Sequence, residues 1–214
     1  MSPSFTDLRK EFLQQTLHEA EVAADPIAQF QQWFAQAVAA QVAYPEAMTL
    51  ATATRDGKPS ARIVLLKGCD ARGFSFFTNY ESRKAGELIE NPHASLVFWW
   101  HELERQVRLE GSIEKVSAQE SEEYFRTRPR GSQIGAWASA QSTVLPHREV
   151  LEENVQAFDT KFGVGEVPRP SHWGGFRVLP HTMEFWQGRL NRLHDRIRYR
   201  LQEGGVWLRE RLAP

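Results

Sequence analysis

Hydrophobic and polar positions change their period along this chain, and the changes mark its elements. Ile27, Phe30, Phe34 and Val38 recur at helical spacing behind Asp25-Pro26, an N-cap followed by proline at the first helical position. That spacing predicts a helix with one aromatic face turned to a core. Residues 1–24 read as a separate N-terminal segment, helix-prone and acidic, with Leu8, Phe12 and Leu13 as a weak apolar stripe. From Met48 the pattern becomes β-rich. Runs over 48–54 and 60–67 flank Arg55-Asp56-Gly57-Lys58, a hairpin signal. Residues 68–73 read as a turn into a strand over 74–78, and 94–101 with 105–116 read as a further hairpin. Consecutive antiparallel strands of this kind predict a small barrel or a strongly bent sheet. Ser117-Ala118-Gln119-Glu120 is a capping box that opens a helix, and 147–162 reads as another. Residues 168–170 form a loop, and late strands fall at 173–179, 192–202 and 206–212.

Composition narrows the classes. The chain has 214 residues, 41% hydrophobic and 25% charged, as expected of a globular protein. No repeat, linker or low-complexity stretch divides it, so residues 25–214 read as one domain of the α+β class, mainly antiparallel β. A net charge of -1 restricts any anion recognition to local patches. Cys69 is the single cysteine, so no intramolecular disulfide exists and a reducing, cytoplasmic setting is expected. The N-terminus lacks a secretory pattern, and the most apolar run, 96–100, is too short to span a bilayer. The dinucleotide glycine fingerprint, the P-loop and zinc-ligand spacings are missing, so no metal is expected.

Four segments carry candidate chemistry. Residues 191–200 hold four arginines and a histidine with one acid. As a strand, they would set Arg192, His194, Arg196, Arg198 and Arg200 on one face and Leu193, Ile197 and Tyr199 on the other. The first face suits a small anion; a solvated strand in a basic patch is the alternative. The run Arg62-Ile63-Val64-Leu65-Leu66-Lys67 should be buried yet is bounded by cations, which read either as ligands or as solvated ends. Ser82 would cap a helix whose first turn carries Arg83 and Lys84, against the helix dipole. An anion at that N-terminus would remove the conflict. Finally, Tyr124 and Arg128 would share a helix face ended by Pro129, with Ser132 nearby, forming a phosphate cradle. Together these patches suit a phosphorylated cofactor and a phosphorylated substrate.

The order and spacing of these motifs resemble the pyridoxamine 5′-phosphate oxidase family across about Leu8 to Pro214. The resemblance rests on Arg62 to Lys67, on Phe77-Thr78-Asn79-Tyr80-Glu81-Ser82-Arg83-Lys84, and on Phe185-Trp186-Gln187-Gly188. It also rests on Asn191-Arg192-Leu193-His194-Asp195-Arg196 and the ending Arg211-Leu212-Ala213-Pro214. It implies a split β-barrel FMN-binding fold with flanking helices, working as a homodimer with flavin sites at the subunit interface. The implied activity is oxidation of pyridoxamine 5′-phosphate and pyridoxine 5′-phosphate to pyridoxal 5′-phosphate, with O2 reduced to H2O2. The implied flavin site comprises Arg62, Ile63, Val64, Leu65, Leu66, Lys67, Phe77, Thr78, Arg83, Lys84, Gln106, Gln141, Ser142, Trp186 and Arg196. Substrate phosphate would meet Lys67, Tyr124, Arg128 and Ser132, while Arg192 and His194 face the pyridine ring as catalytic residues. The 1–24 segment, through Arg9, would fold over bound substrate as a lid. Phe12 and Phe77 stand where the family often has tyrosine.

Other classes are weaker. A non-catalytic flavin- or pyridoxal-phosphate-binding module would keep the phosphate residues, but retention of both Arg192 and His194 argues against it. A reductase using another flavin-like cofactor stays open within the fold. A nucleic-acid binder using Trp99, Trp100 and the arginines is disfavoured by the small basic patch and the net charge, and no membrane partner is expected.

Overall fold

In a computed structural model that describes residues 15–214, five α-helices and nine β-strands follow the order α1, β1–β4, α2, β5, β6, α3–α5, β7–β9. Helix α1 (Pro26–Ala39) starts where Asp25 accepts a hydrogen bond from the Ala28 amide at 2.8 Å, with proline in its first turn. Its buried stripe is Ile27, Phe30, Trp33 and Ala37, rotated by one residue from the stripe read in the sequence, and Val38 is exposed. Trp33 decides the rotation. It packs edge-on against Phe185 at 5.3 Å, and the Arg105 guanidinium covers its ring at 4.4 Å.

The strands hydrogen-bond in the order β2-β1-β5-β6-β7-β4-β3, with β8 paired to β7 and β9 to β8. The hairpin between β1 (Ala47–Ala53) and β2 (Pro59–Leu65) turns at Gly57, where φ is +84°. Residues 68–73 are not a bare turn: β3 (Gly68–Asp70) pairs antiparallel with β4 (Gly73–Asn79). Strand β7 (Trp173–Gln187) runs well past position 179 and through Pro180. Its first half pairs with β4 (Phe77 opposite Gly175) and its second half with β8 (Asp195–Leu201). A Cβ at Gly175 would come within 2.8 Å of the Phe77 ring, so glycine lets β7 lie under that aromatic side chain.

Two compact units share the chain, and β1, β5 (His93–Trp100), β6 (Arg105–Lys115) and β7 each contribute to both. Among the described residues, the first unit contains 15–49, 95–111 and 180–214. Its core joins Phe30 to Phe98 at 4.9 Å and Phe185 to Tyr199 at 5.6 Å. The Tyr199 hydroxyl donates to the Ala23 carbonyl at 2.6 Å. Leu17 and Val22 are buried here, so the latter part of the 1–24 segment is packed. The second unit contains residues 50–94 and 112–179, with Phe125, Ile134, Val167 and Trp173 at the centre of one aromatic cluster. Three helices cover that cluster: α3 (Ala118–Thr127), α4 (Arg130–Ala138) and α5 (Glu149–Phe162). The sequence reading lacked α4, whose helix signal is hidden by Pro129 at its N-cap.

Three local expectations change. The run from Arg62 to Leu65 is not buried: β2 lies at a sheet edge, and Ile63 and Leu65 are 64% and 40% exposed. Arg128 caps the end of α3 in extended conformation and does not continue the Tyr124 helix face. Arg192 and His194 precede the strand instead of standing on it. Arg192 closes a 3-10 turn (Leu190–Arg192) in which Asn191 and Arg192 have φ of 57° and 61°, and β8 begins only at Asp195.

Candidate active site

A cleft of about 540 Å³ in the second unit gathers most of the residues singled out from sequence. Strand β2 supplies Arg62, Ile63, Val64 and Leu65, the loop after it supplies Lys67, and β4 supplies Phe77 and Thr78. Lys84 comes from α2 (Arg83–Glu90), Tyr124 and Arg128 from α3 and its C-cap, Ser132 from the first turn of α4, and Gln141 from the loop beyond. The expected cofactor strip and the expected phosphate cradle therefore line one cavity. Three expected residues of this unit do not line it: Leu66 is buried, Arg83 is largely exposed, and Ser142 is exposed with φ of 75°.

Among the described residues, no acid pairs with three cations of this cleft, Lys67, Lys84 and Arg128. Lys84 Nζ donates to Gln141 Oε1 at 2.8 Å and to Thr78 Oγ1 at 3.1 Å, both neutral oxygens. Burial, then repulsion from Arg62, pulls its ammonium below the ordinary value. Arg128 lies over Trp173 at 4.5 Å, and its buried Nη1 has no hydrogen-bond partner among the described residues. Burial lowers its pKa as well, with Tyr124 acting the other way. Phe77 stacks on Tyr124 at 4.1 Å and lies nearly parallel to Trp173 at 5.5 Å, giving the cleft a flat aromatic wall. Such a wall with a donor left unsatisfied fits a planar, phosphorylated molecule.

Arg62 is not a solvated strand end. Its Nη1 donates to Thr52 Oγ1 at 2.6 Å and to the Leu50 carbonyl at 3.3 Å. Its Nη2 reaches Ser60 Oγ and the buried Glu87 carboxylate. Sequence reasoning missed Glu87. The spacing of Arg83 and Glu87 is a legible helical pair, but the convergence of Thr52, Ser60 and Arg62 on the same carboxylate is not.

The remaining candidates lie in the first unit. Trp186 on β7 stands opposite Arg196 on β8, and Gln106 is half-buried on β6. His194 lies 4.5 Å from the Trp186 ring. Its Nδ1 accepts a hydrogen bond from the Arg189 amide at 3.1 Å, so the neutral imidazole carries its proton on Nε2. Burial and then Arg192 lower its pKa, favouring that neutral form. The arginine face is mostly neutralised within the sheet. Arg196 forms a two-pronged pair with Glu184 at 2.8 and 3.1 Å, while Arg198 and Arg200 both pair with Glu210. Glu184, 2% exposed, also accepts from Arg108 at 3.0 Å and is a second residue that the sequence reading passed over. Arg9 lies outside the described residues.

Comparison with known proteins gives the chain relatives over its whole length. Residues 34–162 match the family model described as pyridoxamine 5′-phosphate oxidase. Residues 173–214 match the pyridoxine 5′-phosphate oxidase C-terminal dimerisation region. A pyridoxine/pyridoxamine 5′-phosphate oxidase from a Cyanothece species is 59% identical over 214 residues, covering both chains fully. The enzyme of that name from Cupriavidus necator is 59% identical over 208 residues, covering 97% of this chain and 98% of its own. Among solved structures, PhzG from Burkholderia lata, in complex with tetrahydrophenazine-1-carboxylic acid, superposes with a TM-score of 0.87 at 34% identity, covering 93% of this chain and 98% of its own. An FMN-binding protein from Nostoc punctiforme related to pyridoxamine 5′-phosphate oxidase has a TM-score of 0.70 at 15% identity, covering 86% and 97%, and shares the split-barrel fold. With its sheet order, its aromatic cleft and full-length identity of this level, the chain belongs to the pyridoxamine 5′-phosphate oxidase family.

Proposed function

We propose that this chain is an FMN-dependent oxidase that converts pyridoxine 5′-phosphate, and pyridoxamine 5′-phosphate with uptake of water and release of ammonia, to pyridoxal 5′-phosphate, reducing O2 to H2O2. The observation that carries the reading is the pair of anion-deficient cations, Lys84 and Arg128, in one aromatic cleft. One suits the monophosphate of the flavin, with Arg62 and Arg83 beside it, and the other suits the phosphate of the substrate, with Lys67, Tyr124 and Ser132. When bound, FMN would supply the two-electron redox chemistry of the oxidation. The protein holds the two rings in register and uses the remote phosphate to fix the reacting carbon.

Arg192 and His194 act on the pyridine end. With Nδ1 engaged by the Arg189 amide, His194 offers Nε2–H as a donor, which suits orientation of the substrate and not removal of a proton from it. Gln106, Trp186 and Arg196 complete the flavin contacts. The sites belong to a homodimer. Support comes from the family description of residues 173–214 as a dimerisation region and from exposed apolar side chains such as Ile63, Trp99 and Leu193.

The test is spectroscopic. Purified protein should release FMN, not FAD, on denaturation. Its flavin bands should bleach on anaerobic addition of pyridoxamine 5′-phosphate, and they should recover with H2O2 on admitting air. Bleaching by a reduced phenazine carboxylate in place of the phosphorylated amine would reassign the substrate. A flavin-loaded monomer in sedimentation would refute the assembly.

A further inference from the structure

The carboxylate of Glu87 is the least expected charge near the cleft. It lies on α2, its side chain is 5% exposed, and it does not line the cavity. Oε2 accepts from Thr52 Oγ1, Ser60 Oγ and Arg62 Nη2, the last at 3.3 Å, while Oε1 accepts from Arg83 Nε at 2.8 Å. Burial alone would raise its pKa, but the hydrogen bonds from Ser60, Thr52 and Arg83 hold it at about 2. Stability does not require such a group, since buried ion pairs are often replaced by apolar side chains without loss. What the carboxylate does is geometric. Arg62 and Arg83 would repel each other and Lys84, and Glu87 binds both arginines to one point behind the cavity wall. Arg62 is thereby fixed at the wall of the cleft that it lines, its two terminal nitrogens held by Thr52, the Leu50 carbonyl, Ser60 and Glu87. Three cations and this one acid leave a local charge of two, matching a phosphate monoester, which carries about −1.5 to −2.

We infer that Glu87 is a positioning residue for the flavin phosphate: it fixes Arg62 at the cleft wall and Arg83 behind it, and so sets the positive field that a monoester dianion meets there, without touching the ligand. The inference rests on the flavin reading above. It is separable from simple charge, because removing an acid from a phosphate site should tighten phosphate binding on electrostatic grounds, whereas loss of positioning should weaken it.

Dissociation constants of FMN and of riboflavin, which lacks the phosphate, measured by quenching of flavin fluorescence, distinguish the two. Glu87→Ala should bind FMN at least tenfold more weakly and leave riboflavin within about twofold. Glu87→Gln, which keeps a carbonyl acceptor for the hydroxyls and Arg62, should fall between wild type and Glu87→Ala. Ser60→Ala, which keeps the charge but removes a hydroxyl shared by Arg62 and Glu87, should give a smaller loss in the same FMN-specific direction, and it serves if the Glu87 variants fail to fold. Unchanged or tighter FMN binding by Glu87→Ala, or parallel loss of riboflavin, overturns the role. With Ser60→Ala alone, FMN affinity equal to wild type overturns it. A wild type that fails to prefer FMN over riboflavin overturns the flavin-phosphate assignment itself.

Discussion

Replacing Arg128 with methionine should separate binding from stability. Arg128 Nη1 is buried with no partner among the described residues, and an unsatisfied buried donor costs about 1–3 kcal/mol. Against this stands the cation–π contact with Trp173 at 4.5 Å, with Phe125 at 5.5 Å beyond, worth about 0.5–2 kcal/mol. Methionine removes both and keeps a polarizable contact with the aromatic wall. The stability terms nearly cancel, so the melting temperature should move by no more than about 2–4 °C, the effect of ~1 kcal/mol in a chain of this size. Binding has no such cancellation. A charge-assisted hydrogen bond to phosphate is worth about 1.5–3 kcal/mol, so affinity for pyridoxal 5′-phosphate should fall about ten- to a hundredfold. Calorimetric titration of flavin-loaded wild type and variant, each with phosphorylated and unphosphorylated pyridoxal, makes the measurement. The variant should lose the advantage of the phosphorylated ligand and keep its flavin. Equal losses for both ligands, or a fall of more than about 10 °C with phosphate affinity intact, would refute the assignment.

Three other outcomes follow from the geometry. His194→Gln, which places an amide N–H near the position of Nε2–H, should keep flavin and slow anaerobic reduction by no more than about tenfold in stopped flow; a loss of about 10²–10⁴ would make His194 a general base instead. Glu184→Ala should release Arg196 and Arg108 together, lowering stability by about 1–3 kcal/mol in urea titrations and weakening flavin retention, and retention equal to wild type would detach Arg196 from the flavin. The Glu87 carboxyl is held at about 2 against an ordinary 4.5, so its contribution is complete above pH 4.5 and fades as pH falls toward 2; acid unfolding followed by circular dichroism should therefore lose part of its pH dependence in Glu87→Gln over that window.

Period and punctuation made much of the fold legible. Asp25-Pro26 marks the start of α1, Asp56-Gly57 turns the first hairpin, Ser82 caps α2 and Ser117 caps α3, because each acts through backbone groups within a few residues of itself. The order of motifs along the chain was likewise sufficient to indicate the family, since side-chain chemistry at fixed spacing is a property of sequence. Tertiary structure alone decided the rest. It put Trp33 on the buried face of α1 in place of Phe34, left the apolar strand β2 at an exposed edge, and held Arg192 and His194 in a turn ahead of β8. It also chose which of the many cations were spent. Arg198 and Arg200 go to Glu210, Arg196 to Glu184 and Arg62 to Glu87, while Lys84 meets only neutral oxygens within the cleft and Arg128 keeps one buried nitrogen unpartnered. No local pattern encodes those partnerships. A carboxylate neutralises an arginine only when strands and helices distant in sequence bring the two within a few ångströms, and that distance is set by packing.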